Sequence, residues 1–223
     1  MNRSYDDEIP EELDVKILVH AFSNGMADFC RVRALCKRFT KASRYRMFYR
    51  DVDLYFQRRP LGEVQPSMRF KEVCLRVNNP SALLIKGVND YFYGALRSEG
   101  LGMIRSAATL KYAPARYVYS MIMTTVFKEE NVLTRQSAIR IRKGILIRHR
   151  RILYLRYSPT LYEIRNGNDV DFLSSCTCAA KGSWEQWWDE DFDVGVYCDR
   201  CYWIIEILYF CMLIERHFPV WEI

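Results

Sequence analysis

Apolar side chains recur every three or four residues through most of the chain, which is the spacing of an amphipathic helix. Pro10, followed by two acids, predicts a helix start, because proline presets φ and carboxylates suit the positive end of the helix dipole. This first helix carries Leu13, Ile17 and Ala21 on one face, and Asn24-Gly25 predicts its end.

A second apolar stripe follows at the same spacing, and it comprises Phe29, Val32, Cys36 and Phe39. A third helical stretch is predicted over residues 38–48. The alternation of apolar and polar residues that is typical of strands is rare, and it occurs around residues 51–54 and 139–142. The pattern therefore predicts a mostly α protein.

Three short motifs stand within residues 9–50. The chain reads Ile-Pro-Glu-Glu-Leu at 9–13, Ile-Leu at 17–18 and Val-Arg-Ala-Leu-Cys-Lys-Arg-Phe at 32–39. Together these motifs resemble an F-box, a family that has Leu-Pro, spaced apolar residues and a Val-Cys-Lys turn at these places. Ile9 and Leu35 are volume-conserving replacements, whereas Asp14 stands where an apolar residue is usual. If that position is buried against a partner, the charge weakens binding.

The resemblance implies a three-helix F-box over residues 9–55 that docks to the Skp-family adaptor of a cullin ligase. The adaptor-binding residues that it implies are Ile9, Pro10, Leu13, Ile17, Leu35, Cys36 and Phe39.

The middle of the chain has a repeating helical pattern. Asn79 as a cap and Pro80 at the first position predict one helix start, Gly94 its end, and Pro114 marks another start. Pro80 and Pro114 are 34 residues apart, which is the period of tetratricopeptide helical pairs. Small residues stand where paired helices would approach closely, and these are Gly87, Ala107, Ala108 and Ala115. The segment resembles the Sel-type variety of that repeat; an ordinary helical bundle is the alternative.

The order of these parts resembles one group of plant F-box proteins, in which a tetratricopeptide-like region follows the F-box directly. The C-terminal end resembles that group in its tryptophan-rich acidic segment at 184–193 and in the run Cys-Asp-Arg-Cys-Tyr-Trp at 198–203. We therefore expect an acidic tail over 1–8, the F-box over 9–55 and tetratricopeptide-like helical repeats over 66–160. A Cys/Trp-rich segment over 161–223 would hold a cysteine knuckle and a closing helix.

Composition and charge make some classes of function less expected than others. Half of the 223 residues are apolar, which is enough for a buried core, and the net charge of +6 is mild for a dedicated nucleic-acid binder. The charge is blocky: residues 15–50 hold nine Lys or Arg against one acid, residues 135–156 hold eight and no acid, and residues 185–193 hold five acids. These blocks are either solvated faces or an electrostatic partner site. The run 135–156 fits a helix or a strand, has Tyr154 as its one Phe, Tyr or Trp residue and has no recognised nucleic-acid motif, so no specific nucleic-acid binding is expected.

No membrane or secretory segment is expected. The acidic start lacks the apolar core of a signal peptide. The longest apolar run, 202–214, has 13 residues and contains Glu206, whereas a membrane span needs about 20 residues, so the run predicts a buried helix. Eight cysteines without a secretory signal predict a reducing compartment, cytoplasmic or nuclear.

Two close cysteine pairs are the candidate metal site. Cys176 and Cys178 are separated from Cys198 and Cys201 by 19 residues, and four thiolates at such spacing can hold one tetrahedral structural zinc. Reduced thiols in the core and a redox Cys-x-x-Cys pair are the alternatives.

The sequence has no pattern typical of an active site. His20, His149 and His217 stand alone, and no zinc-protease or P-loop motif is present. The resemblance therefore implies a non-catalytic substrate-receptor subunit of an SCF-type cullin ubiquitin ligase, with an unidentified protein target held by the helical region. The alternative is a basic helical-repeat protein that binds nucleic acid or an acidic partner and has no ligase role.

Overall fold

The computed structural model describes residues 10–55, 66–129, 134, 136–140, 159–166 and 198–217. These residues contain helices and no strand, which confirms the predicted mostly α class. A π-helical segment, Asn89–Tyr93, continues α6, and residues 136–140 are also helical. The helices are α1 Glu11–Asn24, α2 Met26–Leu35, α3 Lys37–Ala42, α4 Arg46–Asp51, α5 Met68–Arg76, α6 Pro80–Val88, α7 Arg97–Thr109, α8 Ala113–Thr125, α9 Pro159–Asn166 and α10 Asp199–His217.

The chain divides into two compact units. Unit 1 comprises residues 1–83 with 222–223, and unit 2 comprises residues 84–221. The division falls inside α6, whereas the F-box segment was expected to end at residue 55. The domain bounds derived from the sequence stay a prediction.

The first helices of unit 1 follow the local signals, and the later ones depart from them. The first helix begins directly after Pro10 and ends at Gly25, whose φ of 147° favours glycine. The third stretch, expected as one helix over 38–48, is two short helices, α3 and α4, separated by a turn at residues 43–45. The second stripe is also broken, because Cys36 is extended (φ −155°, ψ 162°) and separates α2 from α3. Segment 10–55 thus holds four helices rather than three.

Aromatic rings form the core of unit 1. The Phe22 ring contacts the rings of Phe29 and Phe70 with centroids 5.8 and 5.3 Å apart, and Phe29 stacks on Phe48 at 5.1 Å. Phe22, Phe29 and Phe48 are buried. This cluster joins α1, α2, α4 and α5, and offset or edge-on aromatic pairs add to the free energy of burial by about 0.5–1.5 kcal/mol each.

Asn79 attaches the end of α4 to the start of α6 inside unit 1. Its buried side-chain amide lies 2.8, 3.0 and 2.7 Å from the carbonyl oxygens of Tyr49, Arg50 and Val52. Its Oδ1 accepts from the backbone N–H of Ala82 at 2.9 Å, which is the helix cap that the sequence predicts. Residues 51–54, expected as strand-like, therefore comprise the last residue of α4 and a connecting segment, in which the Val52 carbonyl accepts from the Asn79 side chain.

Small residues bring the helices of unit 2 close together. A Cβ added to Gly87 would lie 2.8 Å from the Gly100 carbonyl oxygen, and one added to Gly100 would lie 2.6 Å from the Tyr91 nitrogen. Ala107 and Ala115 are fully buried. The close approach predicted at Gly87 is thus present, and it joins α6 and the π-helical segment to α7.

The predicted buried helix over 202–214 lies within α10. Eleven of its thirteen side chains are buried, the exceptions being Trp203 and Leu208. No helix in the described part of the chain is both long and apolar enough to cross a membrane.

Candidate docking surface

In the described part of unit 1, three large apolar side chains are exposed to solvent. Leu13 and Ile17 are each 44% exposed and lie one turn apart on α1, and Leu35 at the end of α2 is 73% exposed. We call these three residues the exposed apolar surface. Pro10 and Cys36 are also exposed, Phe39 is half-buried, and Ile9 lies outside the described residues.

The surface exists because α1 has more apolar residues than its packing can bury. The face of α1 that enters the core carries Val15, Leu18, Ala21 and Phe22. Of the predicted stripe, only Ala21 belongs to this face, and Leu13 and Ile17 lie beside it. Singly scattered exposed apolar residues are ordinary, but two on adjacent turns form a continuous strip that a partner can cover.

Asp14 is directed into unit 1 and away from the exposed apolar surface. Arg38 Nε donates to Asp14 Oδ2 at 2.5 Å, and the side chains of Asp14 and Arg38 are 4% and 25% exposed. The carboxylate therefore has a charged partner within its own chain. Asp14, the departure from the F-box pattern, is a structural residue in this fold.

A second ionic contact lies one turn before the first. Glu11 Oε1 accepts from the Tyr45 hydroxyl at 2.7 Å and from Lys41 Nζ at 3.1 Å. The Tyr45 hydrogen bond, and then the Lys41 ammonium, hold the pKa of Glu11 below its usual value. The contact forms when Glu11 is ionised, so it is present above the ordinary pKa of a glutamate and is lost as the pH falls through the lowered pKa.

The two contacts fix the register of α1 against α3. Glu11 pairs with Lys41 and Asp14 pairs with Arg38, so positions three apart on one helix meet positions three apart on the other. The pairing order shows that the two helices run antiparallel. Because both acids lie on one side of α1, the rotation of that helix is set, and Leu13 and Ile17 point outward.

The predicted metal ligands are only partly described. Cys198 is exposed just before α10, Cys201 is buried one turn later, and Cys176 and Cys178 lie outside the described residues. No group of three potential metal ligands occurs in the described ranges. The zinc site stays a prediction.

The remaining thiols and histidines do not assemble a reactive site within the described residues. Cys74 is buried, and desolvation raises the pKa of its thiol to about 12, so that it is protonated at neutral pH. Cys30 and Cys36 are exposed. His20 is exposed, and the side chains of His149 and His217 lie outside the described residues.

A buried polar contact in unit 2 has no counterpart in the sequence predictions. The Tyr117 hydroxyl donates to Glu206 Oε1 at 2.6 Å, and the Tyr202 hydroxyl donates to Oε2 at 3.1 Å. All three residues are buried, and the contacts attach α10 to α8. Tyr202 and Glu206 are four residues apart, and this i, i+4 spacing within an apolar run is the only signal that the sequence offers.

Two comparisons with known proteins match the chain. Residues 58–154 match the family of plant tetratricopeptide repeats. The chain is 29% identical over 123 residues to a putative F-box protein of Arabidopsis thaliana, and the match covers 52% of this chain and 39% of that relative. The chain thus spans about two fifths of the relative's length. No solved structure matches the chain.

These similarities support a plant protein of F-box type with tetratricopeptide-like repeats. The family match includes α5 to α8, where the 34-residue proline spacing predicts such repeats. Helices α7 and α8 have 13 residues each and are joined by three residues, as expected for a helical pair.

Proposed function

We propose that the chain is a substrate-receptor subunit of an SCF-type cullin ubiquitin ligase. The observation that carries the proposal is the exposed apolar surface of unit 1, at positions that the F-box resemblance assigns to adaptor binding. The similarity to a putative F-box protein supports it. Unit 1 would bind a Skp-family adaptor in the cytoplasm or nucleus, and the helices of unit 2 would hold a protein target.

The proposed mechanism is positional. A receptor that binds adaptor and target together raises the effective concentration of a target lysine near the ubiquitin-charged enzyme carried by other subunits. Such a receptor makes and breaks no covalent bond itself.

The size of the surface sets the expected affinity contribution. Full burial of a Leu or Ile side chain is worth about 1.5–3 kcal/mol, so covering the 44% of Leu13 or Ile17 that is exposed contributes about 1 kcal/mol each. Truncating one of these side chains to alanine costs more binding free energy than this, on the order of 2 kcal/mol per side chain, because it also leaves the facing groups of the partner without a contact.

The test is a calorimetric titration of the full chain with the Skp-family adaptor. We expect Leu13→Ala combined with Ile17→Ala to weaken binding by about 4 kcal/mol, or roughly a thousandfold. Leu96→Ala combined with Leu110→Ala is the matched control, because these leucines are 52% and 51% exposed in unit 2. Tight binding by the first variant, or no binding by the parent, would refute the proposal.

The alternative of a basic repeat protein rests on the run 135–156. The structure describes residues 136–140 of that run, which are helical, and no described contact favours nucleic-acid binding. That alternative stays a prediction from the sequence.

A further inference from the structure

Three cations that form no ion pair within the described residues are close sequence neighbours of Ile17 and Leu35. Lys16 precedes Ile17 on α1, and Arg33 and Lys37 stand two residues before and after Leu35. All three are exposed, and within the described residues none forms an ion pair. Arg33 lies 5.8 Å from the centre of the Phe29 ring, so its guanidinium is held over a residue one turn earlier on α2.

Most of the described acids of unit 1 form ion pairs with other cations. Asp28, Asp14, Glu11 and Asp51 pair with Arg31, Arg38, Lys41 and Arg50. Glu12 is the acid on α1 that has no ion pair in the described residues, and it is exposed one turn before Lys16. Within the described residues, three unpaired cations against one unpaired acid leave the border of the surface positive.

Resting on the proposed function, we infer that the adaptor face covering the exposed apolar surface has an acidic rim. Lys16, Arg33 and Lys37 guide this face to the surface. The three cations would repel an adaptor face with a basic rim. A face with a neutral rim would exclude water from the contact beside the cations without offering them opposite charges. Exposed ion pairs add little equilibrium free energy, so the cations act mainly on the rate of association.

The experiment measures the association and dissociation rates of the full chain with the adaptor at about 50 and about 500 mM salt. The Debye length shortens severalfold from the lower to the higher concentration. The first variant combines Lys16→Gln, Arg33→Gln and Lys37→Gln. At low salt we expect association roughly tenfold slower than in the parent, dissociation changed less than about threefold, and equal association rates at high salt. The pair Lys16→Gln with Lys37→Gln keeps the Arg33–Phe29 contact and should give a smaller slowing of the same kind.

The control removes the same number of charges from unit 2. Arg105→Gln, Lys111→Gln and Arg116→Gln replace exposed cations that have no ion pair in the described residues. We expect this control to change association less than about twofold, because its charges lie outside the docking unit. Association that is independent of salt, or equal slowing by both triple variants, would overturn the inference. Binding that needs Leu13 and Ile17 but ignores salt refutes only the acidic rim, whereas no binding by the parent refutes the proposed function.

Discussion

The packing of α7 against the π-helical segment makes a sharp prediction, because two glycines on α7 occupy opposite environments. A Cβ at Gly100 would lie 2.6 Å from the Tyr91 nitrogen and 2.8 Å from the Gly87 carbonyl oxygen. A Cβ at Gly102 meets nothing within 4 Å. The substitutions Gly100→Ala and Gly102→Ala therefore share their chemistry and their helix and differ only in this contact.

The magnitudes follow from the two environments. Alanine is favoured over glycine inside a helix by about 0.5–1 kcal/mol, so Gly102→Ala should stabilise the protein by that amount. Gly100→Ala gains the same propensity but forces α7 away from backbone atoms that cannot rotate aside, and such overpacking costs typically 1–3 kcal/mol or more. The propensity gain is common to both variants, so we expect them to differ by the overpacking cost, about 1–3 kcal/mol or more, in the free energy of unfolding.

Thermal and urea unfolding of the full-length variants, followed by circular dichroism, measure this difference. For a chain of this size, 1 kcal/mol corresponds to a shift of about 2–4 °C in Tm. In the Gly100→Ala variant, the backbone amides of α7 should exchange their hydrogens faster than in the parent, which would locate the lost stability in unit 2. If Gly100→Ala is as stable as Gly102→Ala, the close approach of α7 to the π-helical segment does not exist.

Two further predictions concern other parts of the chain. Asp14→Ala should destabilise unit 1 by about 2–4 kcal/mol, because Arg38 loses the partner of a largely buried pair. Replacing both members with apolar residues, Asp14→Leu with Arg38→Met, should recover most of that loss. If urea denaturation instead shows that the losses of the two single variants add up in the double variant, the two side chains do not form a direct pair. If Cys198 and Cys201 share a zinc ion with Cys176 and Cys178, protein purified without added zinc should carry one zinc per chain, and Cys198→Ser should release it without weakening adaptor binding. Metal analysis decides this, since reduced thiols predict a stoichiometry near zero in folded protein.

Local signals predicted the helix starts and ends well. The first helix begins directly after Pro10 and ends before Gly25, and α6 begins at Pro80 with Asn79 as its cap. Each of these signals acts through backbone conformation or through a hydrogen bond within three residues, so the sequence contains it completely. Pro114 likewise lies in the first turn of α8.

Contacts between residues far apart in the sequence were out of reach of such signals. Asp14 and Arg38 are 24 residues apart, and Tyr117 and Glu206 are 89 apart. Periodicity shows which residues share a face, but it does not show which of two overlapping apolar faces enters the core. On α1 the choice was made by the aromatic cluster around Phe22, which sequence spacing alone does not locate.

The departure at Asp14 therefore has a physical use. An apolar residue there would extend the buried face of α1 toward Leu13 and Ile17, and the helix would gain alternative rotations that bury them. A carboxylate that must meet Arg38 excludes those rotations, since leaving it buried and unpaired costs several kcal/mol. The Glu11–Lys41 contact is exposed and adds little free energy, but it repeats the same register one turn away. The buried Asp14 and the exposed Glu11 contact thus together leave Leu13 and Ile17 available to a partner.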